Sequence, residues 1–110
     1  MPYIPPQYRQ DLDPLIEALA ERLVQQAQGL EPEAAFAGLL NYTCTRLALL
    51  IVRRRFGRLR YWLIALITGT FKNIADEFYR RLATPYEELQ KGKHGDVDVY
   101  ADFLQEIQGD

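Results

Sequence analysis

FAGLLNYTCTRLALLIVRRRFG, residues 36–57, is the stretch that decides the fold class. Its apolar side chains Phe36, Leu39, Leu40, Leu47, Leu50 and Ile51 recur at three- and four-residue spacing. That is the period of an α-helix and not the strict alternation of a strand. The remaining faces are not plainly polar, because Ala48, Leu49 and Val52 lie across from that stripe. A helix apolar nearly all round is either central or placed at a subunit interface. In a chain of 110 residues, with room for only a modest core, the interface gains weight. The pattern places the helix from about Glu31-Pro32 to Arg55, with Gly57 as its stop.

Toward the N-terminus, Leu12, Leu15, Ile16, Leu19 and Leu23 form a second helical stripe. Asp13 suits an N-cap and Pro14 the first helical position. The sequence therefore predicts an extended, proline-bearing arm over 1–11 and a first helix from there to Gly29. Toward the C-terminus, Leu63, Ile64, Ile67, Phe71, Ile74, Phe78 and Leu82 predict a third helix from about Leu59 to Ala83. TPYEE, residues 84–88, then reads as a break and restart: Thr84 caps, Pro85 takes the first position and Glu87 closes a capping box. A short helix to Lys91 follows, and Tyr100, Phe103, Leu104 and Ile107 predict a tail helix within 96–110. The expected fold is all-α: one domain over 1–110, a small bundle of three main helices plus short C-terminal helices, assembled as a homo-oligomer.

Composition narrows the class. Forty-eight per cent apolar and 25% charged residues are those of an ordinary soluble globular protein. A single cysteine, Cys44, permits no intramolecular disulfide and fits a reducing compartment. No signal-peptide pattern opens the chain, and the runs LALLIV and YWLIALI fall well short of the roughly 20 residues of a membrane helix. A cytoplasmic protein without a membrane is expected. Arg53, Arg54, Arg55, Arg58 and Arg60 crowd one bend, while Asp96, Asp98, Asp102, Glu106 and Asp110 give an acidic tail. Mutual neutralisation accounts for both, so nucleic acid is not the expected partner.

Two polar ladders run along the helices. Asn73, Glu77 and Arg80 or Arg81 share one stripe of the third helix, and Tyr42, Arg46 and Arg53 share one of the second, with Asn41 and Thr45 nearby. They have two readings. Glu77 can pair with Arg46 or Arg80 and merely register helices. Alternatively, the ladders line a groove whose guanidinium and aromatic groups hold phosphates and stack on bases. No nucleophile is paired with a base, since Cys44 sits mid-helix and His94 is alone in a loop, where a structural thiol and a solvated imidazole suffice. The carboxylate spacing of metal-dependent nucleotide hydrolases is missing, so neither metal nor cofactor is expected.

LNYTCTRL (40–47), EFYRRLATPYEELQKGKHGDV (77–97) and the opening MPYI together resemble a family of small uncharacterised proteins from bacteriophages and bacteria. Its pattern is MPYI, LNYxxTRL, YRRxxxPYE and then GDV, and no activity is established for it. The resemblance implies a phage or bacterial origin and a recurring polar set. From that set and the ladders we take Tyr42, Arg46, Asn73, Glu77, Arg80, Arg81, Tyr86, Lys91 and Asp96 as candidate ligand-binding residues. The expected function is a non-catalytic phage-type protein that holds an anionic, nucleotide-like small molecule, sequestering a signalling nucleotide of host immunity. An enzyme acting on nucleotides through Glu77, as base or metal ligand, is one alternative. A protein–protein interaction module without a small ligand is the other.

Overall fold

The computed structural model describes residues 2–109, and these are helical throughout apart from short connections, with no strand among them. The helices are α1 (Pro6–Ala27), α2 (Phe36–Phe56), α3 (Tyr61–Phe78), α4 (Thr84–His94) and α5 (Asp98–Gly109). A 3-10 turn, Glu33–Ala35, leads into α2, and a π-helical turn, Tyr79–Ala83, joins α3 to α4. The chain divides into two compact units, Met1–Phe71 and Lys72–Asp110.

In the first unit α1 starts seven residues ahead of the expected cap. Pro6 occupies its first turn, Pro14 lies in its interior, and of the arm expected over 1–11 residues 2–5 are non-helical, Met1 lying outside the described residues. Pro6 meets the first-position rule as well as Pro14 does, because neither needs an N–H there. The N–H groups of Tyr8 and Arg9 close the first turn on the Pro5 carbonyl, and the Arg9 side chain donates to the Ile4 carbonyl at 2.9 Å. These contacts extend the helix past the point where Asp13 alone would begin it.

α2 ends where expected. Gly57 adopts φ +81, and its N–H donates to the Arg53 carbonyl at 3.1 Å. The Arg53 guanidinium returns to the Gly57 carbonyl at 2.8 Å, and Arg54 and Arg55 also sit in this last turn, where cations complement the helix dipole. Past the corner, Phe56 and Trp62 meet edge to face at 5.4 Å, with Arg55 stacked 5.1 Å from the Phe56 ring. The N–H groups of Leu63 and Ile64 close the start of α3 on the Arg60 carbonyl.

Burial reverses the core expected on α2, whereas Leu63 of the expected α3 arc is buried as the spacing predicts. Val52, on the face opposite the supposed stripe, is 4% exposed, and Leu63 is 2% exposed. They are the buried hydrophobic residues among those described. Of the six residues of that stripe, Phe36, Leu40, Leu47 and Ile51 are half exposed, and Leu39 and Leu50 are half-buried. The sequence identified the apolar faces of α2 but could not tell which of them another element covers. Over Glu33–Phe56 the chain is also long and apolar enough to cross a membrane by length and composition, with mean hydropathy 1.5. A polar face through its middle, with Arg46 at the centre, opposes that placement, since an arginine mid-bilayer costs about 2.5–3.5 kcal/mol or more.

In the second unit the expected restart does not occur. Thr84 is itself helical, no side chain caps α4, and helical backbone runs without interruption from Tyr61 to His94. The chain accommodates Pro85 by widening the turn before it: the Thr84 N–H reaches back to Tyr79, five residues away. A π-turn of this kind absorbs the missing donor and the ring clash that would otherwise break the helix. Glu87 is therefore released from the capping box. α4 ends at Gly95, with φ +87 and ψ 155, whose N–H donates to the Lys91 carbonyl at 2.9 Å.

Candidate functional site

One groove of the first unit, about 440 Å³, runs along α2 and is lined by Tyr42, Thr45, Arg46, Leu49, Leu50, Val52, Arg53 and Leu59. The helical period creates it. Tyr42, Arg46, Leu49 and Arg53 step along α2 at four, three and four residues, so they share one side of the helix. Arg46 and Arg53 stand roughly 10 Å apart along the axis, at 1.5 Å per residue. Among the described residues Arg46 makes no ion pair, and Arg53 contacts the Gly57 carbonyl and no carboxylate. The lining thus carries two cations, no acid, an aromatic ring and an aliphatic floor. Asn41 lies beside Tyr42 and Thr45 in an adjoining shallow depression. The Thr45 hydroxyl donates back to the Asn41 carbonyl at 2.8 Å.

The second unit has its own groove, about 550 Å³, between α4 and the start of α5. Lys91, His94, Asp96 and Tyr100 are among its lining, together with Glu87 and Glu88. Its chemistry is the opposite of the first. Lys91 is held by Glu88 at 3.1 Å, and that carboxylate raises the lysine pKa above its ordinary value. Asp96 accepts from the Val97 N–H at 2.7 Å, which orders the loop into α5. Three carboxylates against one paired lysine disfavour an anion here.

Of the other candidates, Arg80 donates to the Glu77 carboxylate one turn before it, an i, i+3 pair with Glu77 largely covered and Arg80 exposed. This is the arginine-orienting geometry, within a single helix. Asn73, Arg81 and Tyr86 line neither groove. Tyr42 and Arg46 belong to the first unit, and Asn73, Glu77, Arg80, Arg81, Tyr86, Lys91 and Asp96 to the second. Among the described residues no cluster of three His, Cys, Asp or Glu is placed to hold a metal ion.

One contact escaped sequence reasoning. The Tyr79 hydroxyl donates to the Glu87 carboxylate across the π-turn. In a regular α-helix the eighth residue on lies about 80° round from the first, whereas the seventh is nearly in line. The additional residue of the π-turn brings Glu87 into line with Tyr79. The bond to Glu87, and then its charge, raise the Tyr79 pKa. Since the folded-state pKa lies above the unfolded one, the contribution to stability is complete below the ordinary tyrosine range and is lost as pH rises through the folded value. In ultraviolet titration the Tyr79 phenol is expected to ionise later than a free tyrosine, read as the difference between wild type and Tyr79→Phe. Glu87→Gln should move it back; an unchanged midpoint in Glu87→Gln would remove the bond.

The chain belongs to a family described as a domain of unknown function, DUF6899, whose model matches residues 1–97. No curated protein and no solved structure is detectably similar to it.

Proposed function

We propose that this member of the family is a non-catalytic binding protein that takes an anionic, nucleotide-like small molecule in the α2 groove. The observation that carries this is the pairing of Arg46 and Arg53 in a groove without a carboxylate, with Tyr42 at one end. Guanidinium groups hold phosphate oxygens bidentately, an exposed tyrosine ring stacks on a base, and the aliphatic floor excludes water from the contact. A groove of this volume is within the range of small-ligand sites. Lys91 and Asp96, with their own partners, recede as anion contacts, and Glu77 positions Arg80 instead of acting as a base. The resemblance to phage and bacterial proteins supports the finer assignment: a cytoplasmic phage protein that sequesters a signalling nucleotide of host immunity.

Calorimetric titration with a panel of mono-, di- and cyclic nucleotides, with inorganic phosphate as reference, tests the proposal. At least one nucleotide should bind more tightly than phosphate. Arg46→Lys retains the charge but loses the planar fork, and should weaken that binding by about 10-fold or more at unchanged melting temperature. Equal affinities for wild type and Arg46→Lys, or no nucleotide binding, would exclude the groove. Turnover of a bound nucleotide that disappears in Glu77→Gln would establish the enzymatic alternative.

A further inference from the structure

We infer that the uncovered apolar stripe of α2 is a self-association seam, which packs against α2 of a second copy in antiparallel orientation. The inference does not rest on the ligand groove, which lies on another face of the same helix and borders the seam at Leu50.

At 100° per residue, Phe36, Leu40, Leu47 and Ile51 fall within about 60° of arc. They are exposed by 53%, 50%, 55% and 54%, although each is large and apolar. The other faces of α2 are accounted for. Leu39 and Thr43 are half-buried on the side where α1 meets α2. Ala48 and Val52 are covered on another side, and Tyr42, Arg46 and Arg53 line the polar groove. Apart from Tyr42 and Leu49, which line that groove, the large apolar side chains of α2 exposed by half or more belong to this stripe. With Thr43 and Leu50 beside it, the spacing 36, 40, 43, 47, 50 alternates four and three, the interval at which one helix seats in another.

The stripe continues into a second apolar surface. Phe36 and Leu40 line a groove of about 570 Å³ with Leu23 and Val24 of α1. Upstream on α1, Leu12, Leu15, Ile16 and Leu19 extend the Leu23 stripe and are all exposed. These eight side chains, at about half exposure, present on the order of 800 Å², one partner's share of a standard stable interface.

Charge selects a second copy as the occupant. Glu33 stands one turn before Phe36, and Arg54 follows Ile51 on the same side of the helix. Among the described residues neither makes an ion pair within its own chain. Antiparallel pairing of two identical stripes sets Glu33 of each copy beside Arg54 of the other, twice, about a two-fold axis. A self-complementary patch of this kind is what an isologous dimer requires. Parallel pairing would instead oppose Arg54 to Arg54.

Sedimentation of the full chain at tens of micromolar should give a dimer. Leu47→Glu should give a monomer with unchanged helical circular dichroism, since Leu47 is exposed within the chain. Glu33→Arg and Arg54→Glu should each weaken the dimer by about 3- to 10-fold, because attraction becomes repulsion at two symmetric contacts. The double variant Glu33→Arg/Arg54→Glu should recover wild-type association. A monomeric wild type would overturn the inference. So would dimer constants unmoved by either single charge reversal, or a double variant no better than the singles. Binding of the wild-type chain to phosphatidylcholine vesicles, abolished by Leu47→Glu, would assign the stripe to lipid and overturn it as well.

Discussion

Leu63→Ala is expected to cost about 2–5 kcal/mol, the usual loss for truncating a fully buried leucine to alanine. Leu63 is 2% exposed and shares with Val52 the buried positions of the described chain, so little redundant burial is available to compensate. Its N–H also begins α3 by closing on the Arg60 carbonyl at 3.0 Å, next to the Phe56–Trp62 ring contact at the corner. Truncation leaves a void where the backbone turns into α3. For a domain of this size the loss lowers the melting temperature by more than about 10 °C. Leu66→Ala, on the exposed side of the same helix, is the control and should stay within about 0.5 kcal/mol. Equal losses in the two variants, measured by urea denaturation, would mean that Leu66 too is covered in solution.

Two glycines three residues apart should respond with opposite signs. Gly92 lies in the interior of α4, and a methyl group added there meets nothing within 4 Å. Gly92→Ala should raise stability by about 1 kcal/mol, because alanine restricts the unfolded chain and suits the helix. Gly95 also has open space around it, but it sits at φ +87 and ψ 155, a combination essentially reserved for glycine. Gly95→Ala should therefore cost about 1–3 kcal/mol, entirely through the backbone. Hydrogen exchange provides the readout: the amides at the end of α4 and the start of α5 should exchange faster in Gly95→Ala and more slowly in Gly92→Ala. Protection in Gly95→Ala equal to wild type would indicate that the turn into α5 relaxes to an ordinary conformation.

How legible the molecule is from sequence differs between its elements. The all-α class and the end of α2 follow from period and from Gly57, because spacing and a positive-φ glycine are local properties. The start of α1 does not follow, because Pro6 and Pro14 satisfy the same rule and only the bonds to the Pro5 and Ile4 carbonyls discriminate between them. The Pro85 restart failed for a related reason: proline forbids a regular helix, but a π-turn evades the prohibition while preserving helical backbone. For the site, the Tyr42–Arg46–Arg53 ladder was readable as a single face of α2, and that face lines a groove. Which arginines already have partners was not readable. Glu77 could equally have met Arg46 or Arg80, and the choice of Arg80 is a matter of side-chain placement.

The π-turn has a consequence for the length of the chain. Tyr79–Ala83 holds one residue more than a regular α-helix would over the same rise. That surplus rotates everything after it by about 100° relative to an uninterrupted helix. Removing one residue between Arg80 and Ala83 would cancel the surplus without turning α4, because Glu87 would then be the seventh residue after Tyr79 and still lie in line with it. It would also restore the clash of the Pro85 ring that the wide turn absorbs. Elsewhere in the helices, loss of one residue swings every later side chain to a different face. On α2 it would separate Phe36 and Leu40 from Leu47 and Ile51, and Tyr42 from Arg46 and Arg53. Length variation should thus be purged from α2, whereas at this turn loss of a residue should go together with loss of the proline, so that a sequence one residue shorter there and lacking Pro85 can present the same surface.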